Sequence, residues 1–325
     1  MDDFATWHAQ HWPGLEPELI ELDAQRRAAM TRVWFVIGGA VLLGLAGAGL
    51  VLASNAGPAW LFLPAVLGVI IGVAGYTMLT SGYRTGFKQR IIGSIVRSLD
   101  PSLTYAADQT ISEQEFRASR LFTTDPDRFS GEDLVRGRIG ATALRFSELH
   151  AEYRSTSTDS KGNTRTTWHT IFKGLFFVAD FNKHFAGITV VRPDAAQRLF
   201  GRIGQMMQSM GTTFSDLELV ALEDPEFEEE FVVLTSDQVE ARYILSPSLM
   251  RRILDYGHKT GQRMSLSFIA NQIHIAIPMP RDLFEPPLLK SCADPELIRT
   301  YLEDLLMMIG IVEDLNLNLR IWSKQ

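Results

Sequence analysis

The chain contains a single cysteine, Cys292, and therefore cannot form an internal disulfide. This favours a reducing compartment, because disulfides persist mainly in oxidising ones. The sequence also lacks the phosphate-binding glycine loops, the HExxH helix and the CxxC pairs that mark nucleotide and zinc sites. The net charge is −7, and no basic cluster appears outside the flanks of two apolar runs, which argues against nucleic acid as a partner.

Charge is also absent from two long runs, residues 33–53 and 60–80. Each has the roughly 20 apolar residues that a helix needs to cross a bilayer core. The link between them is short and uncharged, so the two runs predict a transmembrane helical hairpin over residues 33–80. A buried pair of helices in a soluble protein is the alternative. Neither run holds an ionisable residue, which argues against an ion path or a transporter site.

The positions of lysine and arginine predict the orientation of this hairpin. Basic residues flank both outer ends of the hairpin, at Arg26, Arg27, Arg32, Arg84, Lys88 and Arg90, whereas the link carries none. Positively charged flanks stay in the cytoplasm, so we expect both termini there and the hairpin in an inner membrane. The residues expected at the membrane interface are Trp34, Trp60, Arg84, Lys88 and Arg90.

Small residues in both runs predict how the two helices pack. Ala40, Gly44 and Ala48 lie four apart in the first run, and Gly68 and Gly72 lie four apart in the second. Small faces of this kind let helix backbones approach closely in lipid. We expect them to pack within the hairpin; the alternative is a dimer face, which would make the chain a homo-oligomer.

The remaining sequence divides into three further segments. Residues 1–32 predict a cytosolic helical segment that Pro13 and Gly14 interrupt. Residues 81–110 predict an amphipathic juxtamembrane helix, which rests on the inner leaflet or packs on the soluble domain. Residues 111–325 predict a cytosolic α+β domain with antiparallel hairpins, either as one body or as subdomains 111–213 and 214–325.

Within this domain, residues 167–181 have the sequence TWHTIFKGLFFVADF, with apolar residues at both odd and even positions. A strand that is apolar on both faces must be covered on both faces, and the stretch is too short to span a membrane as a helix. We therefore expect a central strand, paired in a hairpin with the alternating stretch before it. Four helices are predicted in this domain. One spans residues 194–211, one begins after a cap at Ser112, one lies between a cap at Ser246 and a stop at Gly257, and one begins after a cap at Asp294.

Four stretches carry a resemblance to a known family: SGEDLVRGRIGATALRFSELHAEY, IFKGLFFVADFNKHFAGITVV, FVVLTSDQVEARYILSPSLMRRIL and IHIAIPMPRDLFEPPL. With them the chain resembles, over residues 83–308, a bacterial two-span membrane family catalogued as domain of unknown function 3137. The resemblance implies two spans with a cytosolic domain, and it implies neither catalytic residues nor a cofactor. It also implies a protein partner at the membrane of the LemA type.

Two clusters of side chains are candidate sites. Glu148, His150 and Glu152 alternate along one strand and therefore share a face, where they could ligate a metal or perform acid–base chemistry; the solvated face of a hairpin has the same pattern. His169 lies on the partner strand and would join the set only if the register brought it across; by parity it faces away from Thr170 and Phe172, and it is not added. An acidic stretch that could bind a partner comprises Glu226, Glu228, Glu229 and Glu230.

Two functions fit these observations. The first is an anchored adaptor or scaffold whose cytosolic domain binds a protein partner or the membrane face, without catalysis and without a cofactor. The second is a membrane-tethered hydrolase or metal-dependent enzyme that uses Glu148, His150 and Glu152. Cys292 lies in a loop with no base identifiable in reach, so we do not expect a cysteine nucleophile.

Overall fold

A computed structural model describes residues 2–317 except 55–59, 61, 159–161, 182 and 194–215. The chain forms two compact units. Unit 1 comprises residues 1–98 and 284–302, and unit 2 comprises residues 99–283 and 303–325. The predicted helix over residues 194–211 and the predicted boundary at 213/214 lie outside the described residues.

Unit 1 is built on long helices. Helix α1 spans Asp2–Ala53, and α2 spans Phe62–Phe87 and continues through a π-helical turn, Lys88–Ile92, into α3, Gly93–Leu99. The predicted interruption at Pro13 and Gly14 is wrong, because α1 runs through that point. Burial of Leu15, Leu19 and Leu22 on one side of α1 favours the helix, so packing outweighs the cost of an internal proline.

Unit 2 is organised around an antiparallel sheet, and the predicted α+β fold class is confirmed. Its described residues contribute nine strands, in the order β1-β2-β3-β4-β9-β8-β5-β7-β6. The strands are β1 Thr104–Ala106, β2 Arg128–Ile139, β3 Thr142–Thr158, β4 Thr164–Asp180, β5 Ile188–Pro193, β6 Glu218–Val220, β7 Phe231–Thr235, β8 Ser265–Ile269 and β9 Gln272–Pro278.

Five further helices are described. They are α4 Glu113–Ala118, α5 Pro225–Glu230, α6 Gln238–Ile244, α7 Pro247–Thr260 and α8 Pro295–Asp314. Ser112 and Ser246 cap α4 and α7 as predicted, each accepting a hydrogen bond from a first-turn amide. The stop expected at Gly257 is wrong, because α7 continues to Thr260 and ends at Gly261, whose φ of 65° suits a left-handed cap.

Strand β4 is buried on both faces, as its sequence predicts. Phe176, Phe177 and Val178 are fully buried although successive residues point to opposite sides. Phe176 packs with Phe116 of α4, at 5.6 Å between ring centroids, and Phe177 stacks with Phe146 of β3, at 6.0 Å. The strand therefore joins two apolar layers of unit 2 and holds the neighbouring strand β3 in place.

Candidate functional site

The exposed apolar surface of α1 and α2 is the most distinctive feature of unit 1. Both helices are long and apolar enough to cross a membrane, and the protein covers 6% of the most apolar window of the first and none of the second. A helix in the core of a soluble protein would instead be mostly buried. Exposed large apolar side chains include Trp34, Phe35, Leu42, Leu43, Leu45, Leu50, Trp60, Phe62, Leu63, Val69 and Met78.

Small residues lie where α1 and α2 meet. Ala40 is buried, and a Cβ added to Gly68 would lie 3.3 Å from its carbonyl oxygen. A Cβ on Gly44 would lie 3.6 Å from the carbonyl oxygen of Pro64. Ala48 is half-buried, and a Cβ added to Gly72 would have nothing within 4 Å.

Two glycines that the sequence did not single out make closer approaches. A Cβ on Gly47 would lie 2.8 Å from Pro64, and one on Gly75 would lie 2.6 Å from Val36. On α2, the glycines that approach α1 are therefore Gly68 and Gly75, which lie seven residues apart. The predicted pair was Gly68 and Gly72, which lie four residues apart. A seven-residue spacing also keeps two residues on one helix face.

The predicted interfacial residues fall into two groups: the tryptophans are exposed, and the basic residues form ion pairs. Trp34 and Trp60 are exposed. Lys88 is 3% exposed, and its ammonium lies 2.8 Å from Glu285, which also lies 3.4 Å from Arg84. Arg90 pairs with Glu18 and Glu21 of α1, at 3.2 and 2.8 Å. These three cations form ion pairs within unit 1, and the buried Lys88 is withdrawn from any headgroup. Local sequence could not reveal Glu285, which lies about 200 residues further along the chain.

In unit 2, Glu148 and His150 line a cleft of about 420 Å3 over strands β2, β3 and β4. Two cross-strand rows line the cleft. Ser130, His150 and Lys173 form one row, and Glu132 and Glu148 form the other. Asp282, from the loop after β9, closes one side and pairs with Lys173 at 2.7 Å. The cleft thus combines carboxylates, an ammonium group and an imidazole.

Glu148 is the most perturbed group in this cleft. Its side chain is 7% exposed, and its Oε2 accepts a hydrogen bond of 2.6 Å from the backbone N–H of Leu283. Burial raises the pKa of Glu148 to about 7; the Leu283 N–H opposes this shift, while Asp282, Asp133 and Glu132 add to it. A carboxyl with this pKa can hold or release a proton near neutrality.

The other two residues of the predicted metal set have different partners. The imidazole of His150 lies 3.8 Å from Glu152, and Glu152 pairs with Arg128 at 3.1 Å, outside the residues that line the cleft. His169 stacks on Tyr153, which lies opposite it across the strands beyond the register shift at Ala151/Glu152. Within the described ranges, no group of three or more His, Cys, Asp or Glu residues is arranged to hold a metal ion. The metal hypothesis stays a prediction from the sequence.

The acidic stretch forms α5 and is largely engaged within unit 2. Glu226 pairs with Arg251 at 2.7 Å, and Glu230 contacts His258 at 2.8 Å. Glu228 accepts a hydrogen bond of 2.6 Å from the backbone N–H of Leu222, whereas Glu229 is exposed. The role of this acidic stretch in binding a partner stays a prediction. Its ion pairs within unit 2 reduce the negative charge available to such a partner.

Cys292 lies in unit 1 and is fully buried. Its backbone N–H donates to Asp23 at 3.2 Å, and its Sγ lies 3.6 Å from the carbonyl oxygen of Leu19. Burial raises the pKa of the Cys292 thiol, which disfavours the reactive thiolate.

Strands β3 and β4 continue beyond their outer neighbours. Pairing of β3 with β2 ends at Glu152, and pairing of β4 with β9 ends at Gly174, yet β3 and β4 remain paired as far as Thr158 and Thr164. We call residues 155–158 and 164–167 the ribbon tip. Its eight residues are serine, threonine and one arginine, all exposed, and among the described backbone groups they bond only to one another. Both backbone edges of the ribbon tip therefore face outward.

Comparisons with known proteins give one family match. The family model described as "Protein of unknown function (DUF3137)" matches residues 170–317. No curated protein matches the chain. A similar solved structure is the crystal structure of the mycobacterial trehalose monomycolate transport factor A, TtfA, at 11% identity and a TM-score of 0.32, covering 67% of this chain and 97% of that chain. The predicted family resemblance is confirmed over residues 170–317, where this family model matches the chain.

Proposed function

We propose that this protein is a membrane-anchored adaptor, in which α1 and α2 hold the chain in a bilayer and unit 2 binds a protein partner. The exposed apolar surface of the two helices carries the proposal. In water, an apolar patch of this extent would drive association or aggregation. In lipid, the same side chains need no cover, and the backbone polar groups are satisfied within each helix.

The distribution of charge supports an orientation. The basic residues of unit 1 lie at the base of the hairpin, whereas the link between its helices is uncharged. By the positive-inside rule, both termini and unit 2 lie in the cytoplasm, and the membrane is the inner membrane of a bacterium.

The ribbon tip supports the choice of partner. Two free backbone edges offer rows of N–H and C=O groups to an extended segment of another protein, which can add a strand to either edge. Threonine favours the extended conformation and keeps the surface polar, so the ribbon stays soluble without a partner. A partner that is itself a membrane protein, as the family resemblance implies for the LemA type, would be held beside it by the same bilayer.

Membrane extraction tests the anchor. The full chain should stay in the membrane pellet in alkaline carbonate, and a chain lacking residues 33–80 should appear in the supernatant. Reporter fusions after Gln325 should indicate the cytoplasm. Release of the full chain by carbonate would contradict the anchor, and a periplasmic reporter signal would contradict the orientation alone.

Affinity purification in mild detergent tests the adaptor function. The full chain should retain a stoichiometric protein partner, and a chain with residues 156–166 replaced by an Asn-Gly turn should lose it while staying in the membrane. The control exchanges the exposed Glu303 for Gln on α8, which leaves both ribbon edges and the acidic stretch of α5 intact and should keep the partner. Retention of the partner by the shortened chain would place binding outside the ribbon.

A second function is favoured by the cleft around Glu148. A buried carboxyl with a pKa of about 7 beside His150 and Lys173 has the composition of an acid–base site. A hydrolytic activity that is present in the full chain and absent in Glu148→Gln would support an enzyme. Equal turnover by the two proteins, or no turnover on ester and phosphate substrates, would leave the adaptor as the function.

A further inference from the structure

The loop before α8 folds against the base of the hairpin. Glu285 contacts Arg84 and Lys88, and the Tyr83 hydroxyl donates to the carbonyl oxygen of Pro287 at 3.0 Å. One residue further, the carbonyl oxygen of Leu288 accepts a hydrogen bond of 2.9 Å from Arg26. We call residues 285–292 the base loop.

The order of these contacts shows which way the base loop runs. Tyr83 is closer along α2 to the end of the apolar run at Thr80 than Arg84 and Lys88 are. From Glu285 to Pro287 the loop therefore runs toward the apolar run. It then descends along α1, because Cys292 contacts Asp23 and Leu19, which lie further from residue 33 than Arg26 does. The base loop therefore turns between Pro287, bound at the level of Tyr83, and Cys292, bound at the level of Asp23 and Leu19. We call residues 288–290, which lie in this turn, the apex.

The depth of this apex follows from helix geometry. Tyr83 lies three residues, or about 4.5 Å along the axis, from the end of the apolar run at Thr80. Arg26 lies seven residues, or about 10 Å, before the start of the first run at Val33. The headgroup layer of a bilayer is about 5–8 Å thick on each side. The Tyr83 contact of the loop therefore lies within that layer and the Arg26 contact lies just beyond it, which places the apex at the outer edge of the headgroup layer.

The apex carries an apolar side chain with no cover. Leu289 is 81% exposed, and Lys290 beside it is also exposed. Neighbours on both sides hold the backbone in place: Leu288 through Arg26 and Cys292 through Asp23. An exposed leucine on a fixed backbone can enter a lipid interface, and a lysine beside it can bind anionic headgroups.

We infer that the base loop is a second membrane contact, in which Leu289 inserts into the headgroup layer and Lys290 binds anionic phospholipid. This inference rests on the proposed anchoring of the hairpin. The base loop lies about 200 residues after the hairpin in the sequence. It adds a membrane contact just before α8.

Depth-dependent fluorescence quenching in nanodiscs tests the inference on the full chain. Single cysteines at Leu289, Leu42 and Ile20 are labelled with an environment-sensitive fluorophore, and the wild-type chain, whose Cys292 is buried, measures background labelling. The discs contain phosphatidylcholine and phosphatidylglycerol with nitroxide groups near the headgroup or deep in the acyl chains. Leu42 lies mid-run, and Ile20, also exposed, lies about 20 Å from the run along α1.

The expected pattern is deep quenching at Leu42, headgroup-level quenching at Leu289 and none at Ile20. Lys290→Glu should reduce the quenching at Leu289 in anionic discs and leave that at Leu42 unchanged. A label at Leu289 that behaves like the one at Ile20, with Leu42 still quenched, would overturn the base-loop contact and leave the anchor standing. Loss of quenching at Leu42 as well would overturn both.

Discussion

Replacing Glu148 by Gln should make unit 2 more stable at alkaline pH. The amide keeps the size of the side chain and retains an oxygen that can accept the Leu283 N–H, but it cannot ionise. In the wild-type protein, burial raises the pKa of Glu148 from its usual 4.5 to about 7. Above neutrality the folded protein therefore carries a poorly solvated carboxylate, and the variant does not.

The sign and size of the effect follow from proton linkage. Below about pH 4.5, the carboxyl is protonated in both the folded and unfolded states, so the charge makes no difference. As the pH rises toward 7, the unfolded state releases its proton first, and the free energy of unfolding of the wild type falls. At about 1.4 kcal/mol per pKa unit, the loss reaches at most about 3 kcal/mol near pH 8.

Hydrogen–deuterium exchange of the core amides of β4, in the full chain held in micelles, measures this free energy. Between pH 5 and pH 8, Glu148→Gln should gain about 2 to 3 kcal/mol relative to the wild type, after correction for intrinsic exchange rates. Glu152→Gln is the matched control for removing a carboxylate from the same strand. An identical pH dependence in the wild type and Glu148→Gln would refute the argument that burial governs this group.

Three further predictions concern the packing of each unit. Gly174→Ala should destabilise unit 2 by more than about 3 kcal/mol in thermal unfolding, because Gly174 has a φ of 145° and the added Cβ would clash with the Ile277 carbonyl oxygen. The control is Gly162→Ala, which should cost about 1 kcal/mol, because Gly162 has a φ of 81° but an added Cβ would meet open space. Gly75→Leu should lower the melting temperature of the hairpin in micelles, whereas Gly72→Leu should not, because only Gly75 meets the facing helix. Ser112→Ala should cost about 1 kcal/mol in the same unfolding assay through loss of the α4 cap.

The elements that sequence predicted best depend on local chemistry. Uninterrupted apolar runs identify the two long helices, because length and lack of charge are properties of a single segment. Apolar residues at both parities identify β4 as a doubly covered strand, and Ser112 and Ser246 identify two helix starts. Pro13 of α1 and Gly257 of α7 do not end their helices as predicted, because buried neighbours offset the cost of an unfavourable residue within a helix.

The candidate site was only partly predictable. The alternation of Glu148 and His150 placed both on one face of β3, and the structure brings both into one cleft. The sequence could not show that Lys173 and Asp282 complete this cleft, because β4 and the loop after β9 come from distant parts of the chain. It also could not show that Leu283 covers Glu148, which is what changes an ordinary surface glutamate into a group that titrates near neutrality.

Sequence alone therefore determined the two apolar helices, the antiparallel α+β character and the family resemblance, since each rests on composition or on short-range periodicity. Tertiary structure alone decided which charges remain available. Glu285 pairs with both Lys88 and Arg84, and α7 supplies partners for Glu226 and Glu230 of α5. The fold of the base loop leaves Leu289 exposed. Long-range contacts fix burial and pairing, and burial and pairing determine what a charged or apolar side chain can do.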